Sequence, residues 1–227
     1  MDRLKTAFRT LSAAAVLAAV GVLAPLNLAA LEAQAPQPSA SETVAPATGP
    51  LGEAVAALRG ISTLRADFMQ TDRNGNRSSG VLTIKRPGRI RFQYAPGIPL
   101  LIVGDGRSLT LIDYEVRQVQ RWPIGNSPLG ALLDPSRDLS RFGRLQPTAD
   151  PNVVSIEVRD RRHPEYGVIT LIFVRNGAAP GGLELVSWVA LDSQNKRTTI
   201  RLANQRYGID VPDSTFRWND PRRPARR

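Results

Sequence analysis

Residues 80–94 read GVLTIKRPGRIRFQY, and apolar and polar side chains alternate one by one on both sides of a Pro-Gly turn signal. Leu82 and Ile84 share one face of the first half, and Ile90, Phe92 and Tyr94 share one face of the second half. Because successive side chains of a β-strand point to opposite faces, this period of two indicates two half-buried strands. The sequence therefore predicts an antiparallel β-hairpin with one apolar face.

The same alternation extends from this hairpin in both directions. Turn signals such as Asn74-Gly75-Asn76, Gly104-Asp105-Gly106 and Asn176-Gly177 separate the segments. The chain lacks the strand, helix, strand order of a parallel sheet, so we expect an antiparallel, strongly curved sheet of about ten strands. The further strand-like segments are 64–70, 98–103, 108–113, 116–122, 153–159, 168–174, 183–191 and 198–207.

Apolar residues recur at helical spacing in two places. A short amphipathic helix is predicted from Leu51, and it ends near Gly60. A second short helix is predicted up to Leu133, with Ser127 as its N-cap and Pro128 as its first helical residue. Both helices need an apolar surface to pack on, so we expect them to lie against the sheet.

Two strand-like segments are apolar on both faces, namely LLIV at 100–103 and VITLIFV at 168–174. A single sheet in water cannot expose such a segment, so something must cover its second face. Two arrangements satisfy this requirement. One is a well-covered core, and the other is an apolar cavity between the curved sheet and its helices.

Composition restricts the chemistry that the chain can perform. Its 227 residues suffice for one domain, and none is cysteine, which excludes disulfides, thiolate metal sites and a cysteine nucleophile. His163 is the single histidine, so a Ser-His-Asp triad or a zinc site would depend on it alone. We therefore expect that the protein is not an enzyme and that it binds no cofactor and no metal. The net charge of +10 is scattered rather than gathered on a helix, so no nucleic-acid partner is expected.

The N-terminus has the order of segments found in secretory signal peptides. Arg3, Lys5 and Arg9 precede an uncharged apolar stretch, and Ala33-Gln34-Ala35 follows it. Cleavage after Ala35 is expected, and an uncleaved anchor is the alternative because the stretch is long enough to span a bilayer. The predicted organisation is a signal peptide at 1–35, a flexible Pro/Ala-rich leader at 36–50, one folded domain at 51–218 and a disordered basic tail at 219–227.

Several motifs, taken together in their order along the chain, point to a family. They are Ala66-Asp67-Phe68-Met69-Gln70, the stretch 80–88, Tyr94 with Pro96, Val103-Gly104-Asp105-Gly106-Arg107, Asn126-Ser127-Pro128-Leu129 and Pro212-Asp213-Ser214-Thr215-Phe216. With the signal peptide and the first helix, this combination closely resembles the periplasmic outer-membrane lipoprotein carrier family, LolA. The resemblance covers residues 51–218, and residues 212–216 resemble the family's last strand.

The resemblance implies a mainly β (α+β) fold, an incomplete antiparallel β-barrel of about ten or eleven strands with two or three lid helices around an apolar cavity. It also implies a monomeric periplasmic chaperone that binds the acyl chains of lipoproteins and catalyses no bond change. Such a carrier receives acylated lipoproteins from an inner-membrane lipoprotein-releasing ABC transporter. It hands them to an outer-membrane lipoprotein receptor.

Arg86 matches the family position whose arginine points inward and hydrogen-bonds the lid helices in the empty state. Alternation places it on the face of Leu82 and Ile84, where an arginine needs partners because an unpaired buried charge is costly. We expect acyl chains to displace this contact, which makes Arg86 a gate; the alternative is a rim arginine at a strand end. By face and residue type, the expected cavity lining is Phe68, Leu82, Ile84, Phe92, Ile102, Leu111, Leu129, Leu132, Ile172 and Trp188.

Two other functions compete with the carrier. One is a periplasmic lipid-binding sensor or regulator of envelope stress with the same half-barrel, which would normally have a second domain or a stable anchor. The other is a lipid hydrolase or glycosidase with paired carboxylates. Asp105 and Asp113 flank one predicted hairpin, but no specific motif marks them as catalytic.

Overall fold

The computed structural model describes residues 49–124, 128–134 and 141–222. The predicted signal peptide, most of the predicted leader, the predicted N-cap Ser127 and residues 223–227 of the predicted tail lie outside this part of the chain. Within it, α1 (Gly49–Gly60) begins two residues before the predicted start of the domain and ends at Gly60, as predicted.

The strands follow the alternation of the sequence closely, although β7 was not predicted. The helix α2 (Pro128–Leu133) separates β6 from β7. The eleven strands are β1 (Thr63–Thr71), β2 (Arg77–Lys85), β3 (Arg89–Tyr94), β4 (Leu100–Asp105), β5 (Ser108–Asp113), β6 (Gln118–Pro123), β7 (Gly143–Gln146), β8 (Val153–Arg159), β9 (Val168–Arg175), β10 (Leu183–Leu191) and β11 (Arg197–Tyr207).

All eleven strands form one sheet in the order β6-β5-β4-β3-β2-β1-β11-β10-β9-β8-β7. Each strand pairs antiparallel with its neighbour, and β1 joins the two halves by pairing with β2 on one side and β11 on the other. The strands β6 and β7 are the two edges, so the sheet is not closed. The predicted fold class, a mainly β, incomplete antiparallel barrel, is confirmed.

The sheet is strongly curved, as one aromatic contact shows. Phe92 in β3 and Trp188 in β10 are four strand spacings apart along the sheet. In a flat sheet they would be separated by about 19 Å, at about 4.8 Å per spacing. Their ring centroids are 6.1 Å apart, in an edge-to-face arrangement. The sheet therefore bends until its two halves face each other across a common apolar interior.

Both helices lie at one end of this interior. The helix α1 buries Ala54, Val55, Ala57 and Leu58 and packs against the turn that precedes β10. At that turn Gly181 has a positive φ of 65°, and a Cβ there would stand 2.8 Å from the Ala57 Cα, so only glycine fits. We call this the helix end of the sheet. The opposite end, where β1 finishes and β2 begins, is the far end.

The C-terminal segment covers the outer face of β4 and β5. Residues Asp213–Phe216 form a 3₁₀ turn rather than the strand that the resemblance implied. Phe216 and Trp218 pack against the outward-facing Leu101, Val103 and Ile112. This contact explains why β4 is apolar on both faces: its inner face belongs to the interior, and the C-terminal segment shields its outer face.

Candidate functional site

The inner face of the curved sheet holds almost all of the residues predicted to line a cavity. Phe68, Leu82, Phe92, Ile102, Leu111 and Leu132 are buried in one apolar cluster, and Ile84, Leu129 and Trp188 pack against it. Side chains from β1 to β5, β10 and α2 are thereby brought together. The enclosed apolar cavity itself remains a prediction.

Ile172 is the exception, because it lies on the other face of β9. The inner face of β9 carries Leu171 and Phe173, which are buried in the cluster. Ile172 alternates with them, and its cross-strand partners are Ser155 and Ser187. The prediction that Ile172 lines the interior is therefore wrong, and its two chain neighbours take that place.

Aromatic rings fill the middle of the interior. Phe68 meets Phe92 and Tyr94 edge to face, with ring centroids 5.3 and 5.2 Å apart. Gly80 lies under the Phe68 ring, where an added Cβ would stand 2.8 Å from Phe68 Cε1. The missing side chain at Gly80 thus makes room for the ring. Edge-to-face packing of this kind stabilises beyond the area that it buries.

Arg86 connects both helices to the β2–β3 turn. Its Nε donates to the Ile61 carbonyl (3.2 Å), its Nη2 to Leu58 (3.0 Å) and its Nη1 to Leu132 (2.7 Å). The Gly88 amide donates to the carbonyl of Leu133 (2.9 Å). The same turn therefore holds the C-terminal ends of α1 and α2.

The chemistry of helix ends explains why an arginine stands at this position. The last carbonyls of a helix have no partner within the helix and carry a partial negative charge, so a guanidinium satisfies both needs. Burial lowers the pKa of Arg86 to about 10, and the charge of Asp134 opposes part of that shift. The contact is therefore favourable but is formed at the cost of desolvating a cation.

A second group of basic residues holds the C-terminal segment on the outer face. Lys85 binds Asp213 (2.7 Å) and the Val211 carbonyl (2.7 Å), and Arg89 forms an ion pair with the same carboxylate. The guanidinium of Arg91 donates to the Thr215 and Arg217 carbonyls, at 3.1 Å each. Sequence analysis did not predict this clamp, although Lys85, Arg89 and Arg91 alternate with apolar residues and Asp213 is nearly the last acid of the chain.

The carboxylates considered for catalysis do not form a pair. Asp105 accepts hydrogen bonds from the Arg107 and Ser108 amides, and Asp113 accepts them from the Glu115 and Val116 amides. The two aspartates stand at opposite ends of the β4–β5 hairpin, about 17 Å apart at 3.4 Å per residue. This separation is too large for two carboxylates to act on one glycosidic bond.

The described residues include no group of three or more His, Cys, Asp or Glu side chains able to hold a metal ion. His163 lies in an exposed loop, where its Nδ1 is 3.0 Å from Glu165.

None of the described helices is long and apolar enough to cross a membrane.

A family model and curated relatives identify the family of this chain. The model described as "Outer membrane lipoprotein carrier protein LolA" matches residues 59–219. Outer-membrane lipoprotein carrier proteins of Dechloromonas aromatica and Chromobacterium violaceum are each 30% identical over 174 residues, covering 72% and 73% of this chain and 80% and 81% of theirs. A LolA superfamily crystal structure from Nitrosomonas europaea superposes with a TM-score of 0.41 at 11% identity, over 73% of this chain and 97% of that one. Since the family match spans all eleven strands of the curved sheet, the chain belongs to the LolA family of outer membrane lipoprotein carrier proteins.

Proposed function

We propose that this protein is a periplasmic carrier that holds the acyl chains of lipoproteins between its curved sheet and its two helices. It takes cargo from the inner-membrane lipoprotein-releasing ABC transporter and passes it to the outer-membrane lipoprotein receptor. The single observation that carries the proposal is the Arg86 contact, in which one side chain joins α1 and α2 to the edge of a large apolar interior.

The energetics of acyl chains require such a carrier. Each buried methylene contributes about 0.8 kcal/mol, so a lipoprotein with free acyl chains is strongly unfavourable in water. The apolar inner face, with Leu82 and Phe92 at its centre, is the surface that can replace a membrane for these chains. A carrier must also give up its cargo, so its empty, closed state has to compete with the loaded state.

Arg86 is the gate in this proposal. In the closed state its three hydrogen bonds keep α1 and α2 over the interior. The lowered pKa of Arg86 records the desolvation that closure imposes on the guanidinium. Lipid that enters beneath the helices moves them away, and the guanidinium regains water. Closure during unloading then restores the three hydrogen bonds and helps to expel the lipid.

Arg86→Leu tests the gate. Without the guanidinium the closed empty state is less favourable, so the variant should load a triacylated lipoprotein from transporter proteoliposomes but pass it to the receptor at least tenfold more slowly. Arg91→Leu is the matched control, because Arg91 also binds two backbone carbonyls but on the outer face. Equal loading and equal transfer by wild type and Arg86→Leu would refute the gate.

Native mass spectrometry of the protein from a periplasmic extract tests the export and cargo parts together. We expect a chain that starts at Pro36 and carries a triacylated lipoprotein. A chain that retains residues 1–35, or one that is always empty, would contradict the corresponding part of the proposal.

A further inference from the structure

Three polar side chains stand on the apolar inner face at the far end of the sheet. Gln70, Tyr94 and Thr198 expose only 6%, 4% and 1% of their surface. Gln70 lies near the end of β1 and Tyr94 at the end of β3, while Thr198 lies near the start of β11. They are therefore polar groups inside an otherwise apolar interior, away from both helices.

Hydrogen bonding among these groups is incomplete. The Tyr94 hydroxyl donates to Gln70 Oε1 at 2.7 Å. Among the fully buried side-chain atoms of the described residues, the Thr198 hydroxyl is the one without a hydrogen-bond partner. Buried polar groups without partners are rare because each one destabilises the folded state. The Thr198 hydroxyl, beside the Gln70 amide on the same inner face, therefore points to a ligand that completes it.

Cross-strand register brings these donors close together. Gln70 is directly opposite Ile200 in the β1–β11 pair, and Thr198 lies two residues before Ile200 on the same face. Diagonal neighbours of this kind are about 7–8 Å apart at the backbone, so their side chains can reach one ligand atom. Burial raises the pKa of Tyr94, which keeps its hydroxyl protonated as the donor that orients the Gln70 carbonyl.

We propose that Gln70 and Thr198 form a polar subsite that binds a carbonyl oxygen of an acyl ester or acyl amide, with Tyr94 as a positioning residue. This inference rests on the proposed function, since lipid must first enter the interior. The Gln70 N–H groups and the Thr198 hydroxyl are donors, and an acyl carbonyl is a pure acceptor. The subsite lies about 20 Å from the Arg86 end, at 3.3 Å for each of six residues along β1. The lipid therefore lies with its carbonyl end away from the helices.

Three lipid probes with chains of equal length distinguish recognition of the carbonyl from burial of the apolar chain. They are a dipalmitoyl ester phospholipid, its dialkyl ether analogue without carbonyls, and N-palmitoylglycine amide. Binding to the mature protein is followed by tryptophan fluorescence, because Trp188 lies against the interior. The variants are Gln70→Leu and Thr198→Val. Thr199→Val, on the opposite face of the same strand, is the matched control.

We expect both variants to bind the ester probe about tenfold more weakly, as loss of one hydrogen bond predicts, and to bind the ether probe like wild type. A loss confined to the amide probe would identify the acyl amide as the bound carbonyl. Equal losses for ester and ether probes, or no loss for any probe, would overturn the subsite while leaving the carrier function intact. Wild-type protein that binds none of the probes would overturn both.

Thermal unfolding of the empty protein tests whether Thr198 has a purely structural role. Thr198→Val removes an unpartnered buried hydroxyl without changing the side-chain shape, so its Tm should equal or exceed that of wild type. Weaker ester binding together with an undiminished Tm supports the subsite. A clearly lower Tm would show that Thr198 has a structural partner, and it would overturn the assignment.

Discussion

The two ends of the interior differ in how completely their buried polar groups are hydrogen-bonded. At the helix end, Arg86 has a backbone carbonyl for each of its three nitrogens. At the far end, about 20 Å away along β1, the buried Thr198 hydroxyl has no partner among the described residues. Both ends belong to the same sheet and face the same apolar cluster.

This difference follows from charge. A half-buried guanidinium is stable only with several partners, so the fold surrounds it with helix carbonyls, and those bonds also hold the helices in place. A neutral amide or hydroxyl without a partner costs only about 1–3 kcal/mol, which a folded domain can tolerate. The helix end, where the Arg86 nitrogens are all hydrogen-bonded, thus maintains one conformation. The far end keeps its hydrogen-bond donors for a ligand.

The largest effect is expected between the two ends, at Phe68. Phe68 is 2% exposed and packs against Phe92 and Tyr94, so Phe68→Ala should lower the free energy of unfolding by about 3–5 kcal/mol in urea denaturation. Met69→Ala is the control, because Met69 lies next in sequence on the outer face and is 43% exposed. That substitution should change stability by less than about 0.5 kcal/mol. Equal effects would mean that the interior is not tightly packed, and the contrast between its ends would lose its basis.

A smaller and local effect is expected from Arg86→Leu. The Leu132 carbonyl then loses its Arg86 donor, and the Leu58 carbonyl keeps only the Ile61 amide at 3.4 Å, so both regain full hydrogen bonding only when the helices move toward water. Hydrogen exchange of the α1 amides should therefore speed up, with a fall of about 1–2 kcal/mol in their opening free energy, while amides in β1 and β2 keep their protection. Uniformly faster exchange across the sheet would show that Arg86 stabilises the whole domain and is not a local latch.

The smallest effect is expected on the outer face of the sheet, at Asp213. Hydrogen bonds from Arg89 and Lys85 hold the pKa of Asp213 well below its ordinary value. The folded pKa is lowered, so this carboxylate stabilises the fold above the unfolded value near 3.8 and loses its effect as the pH falls below it. Asp213→Asn should lower the Tm slightly at neutral pH and flatten its decline below about pH 4. Calorimetry that gives parallel pH curves for the two proteins would contradict this role of the clamp.

The strands and most of the interior were predictable because the alternation of polar and apolar residues shows which face each side chain takes. In 80–94 the polar residues that alternate with Leu82 and Phe92 mark the outer face, so the inner face of Arg86 follows from its spacing to Leu82. The run 168–174 has a single polar residue, Thr170, so its phase was not evident and Ile172 was assigned to the wrong face. The short β7 also escaped prediction, because four residues are too few to establish a period.

The sequence by itself determined an antiparallel, curved sheet with an apolar face, two short helices and an inward Arg86, because these features depend on periodicity and on the cost of burying charge. Only the tertiary structure decided which carbonyls Arg86 would meet and that the C-terminal segment would cover β4. It alone brought Gln70, Tyr94 and Thr198 to one end. These contacts join residues 24 or more positions apart in the chain, and they exist only once a sheet that pairs β1 with β11 has curved upon itself.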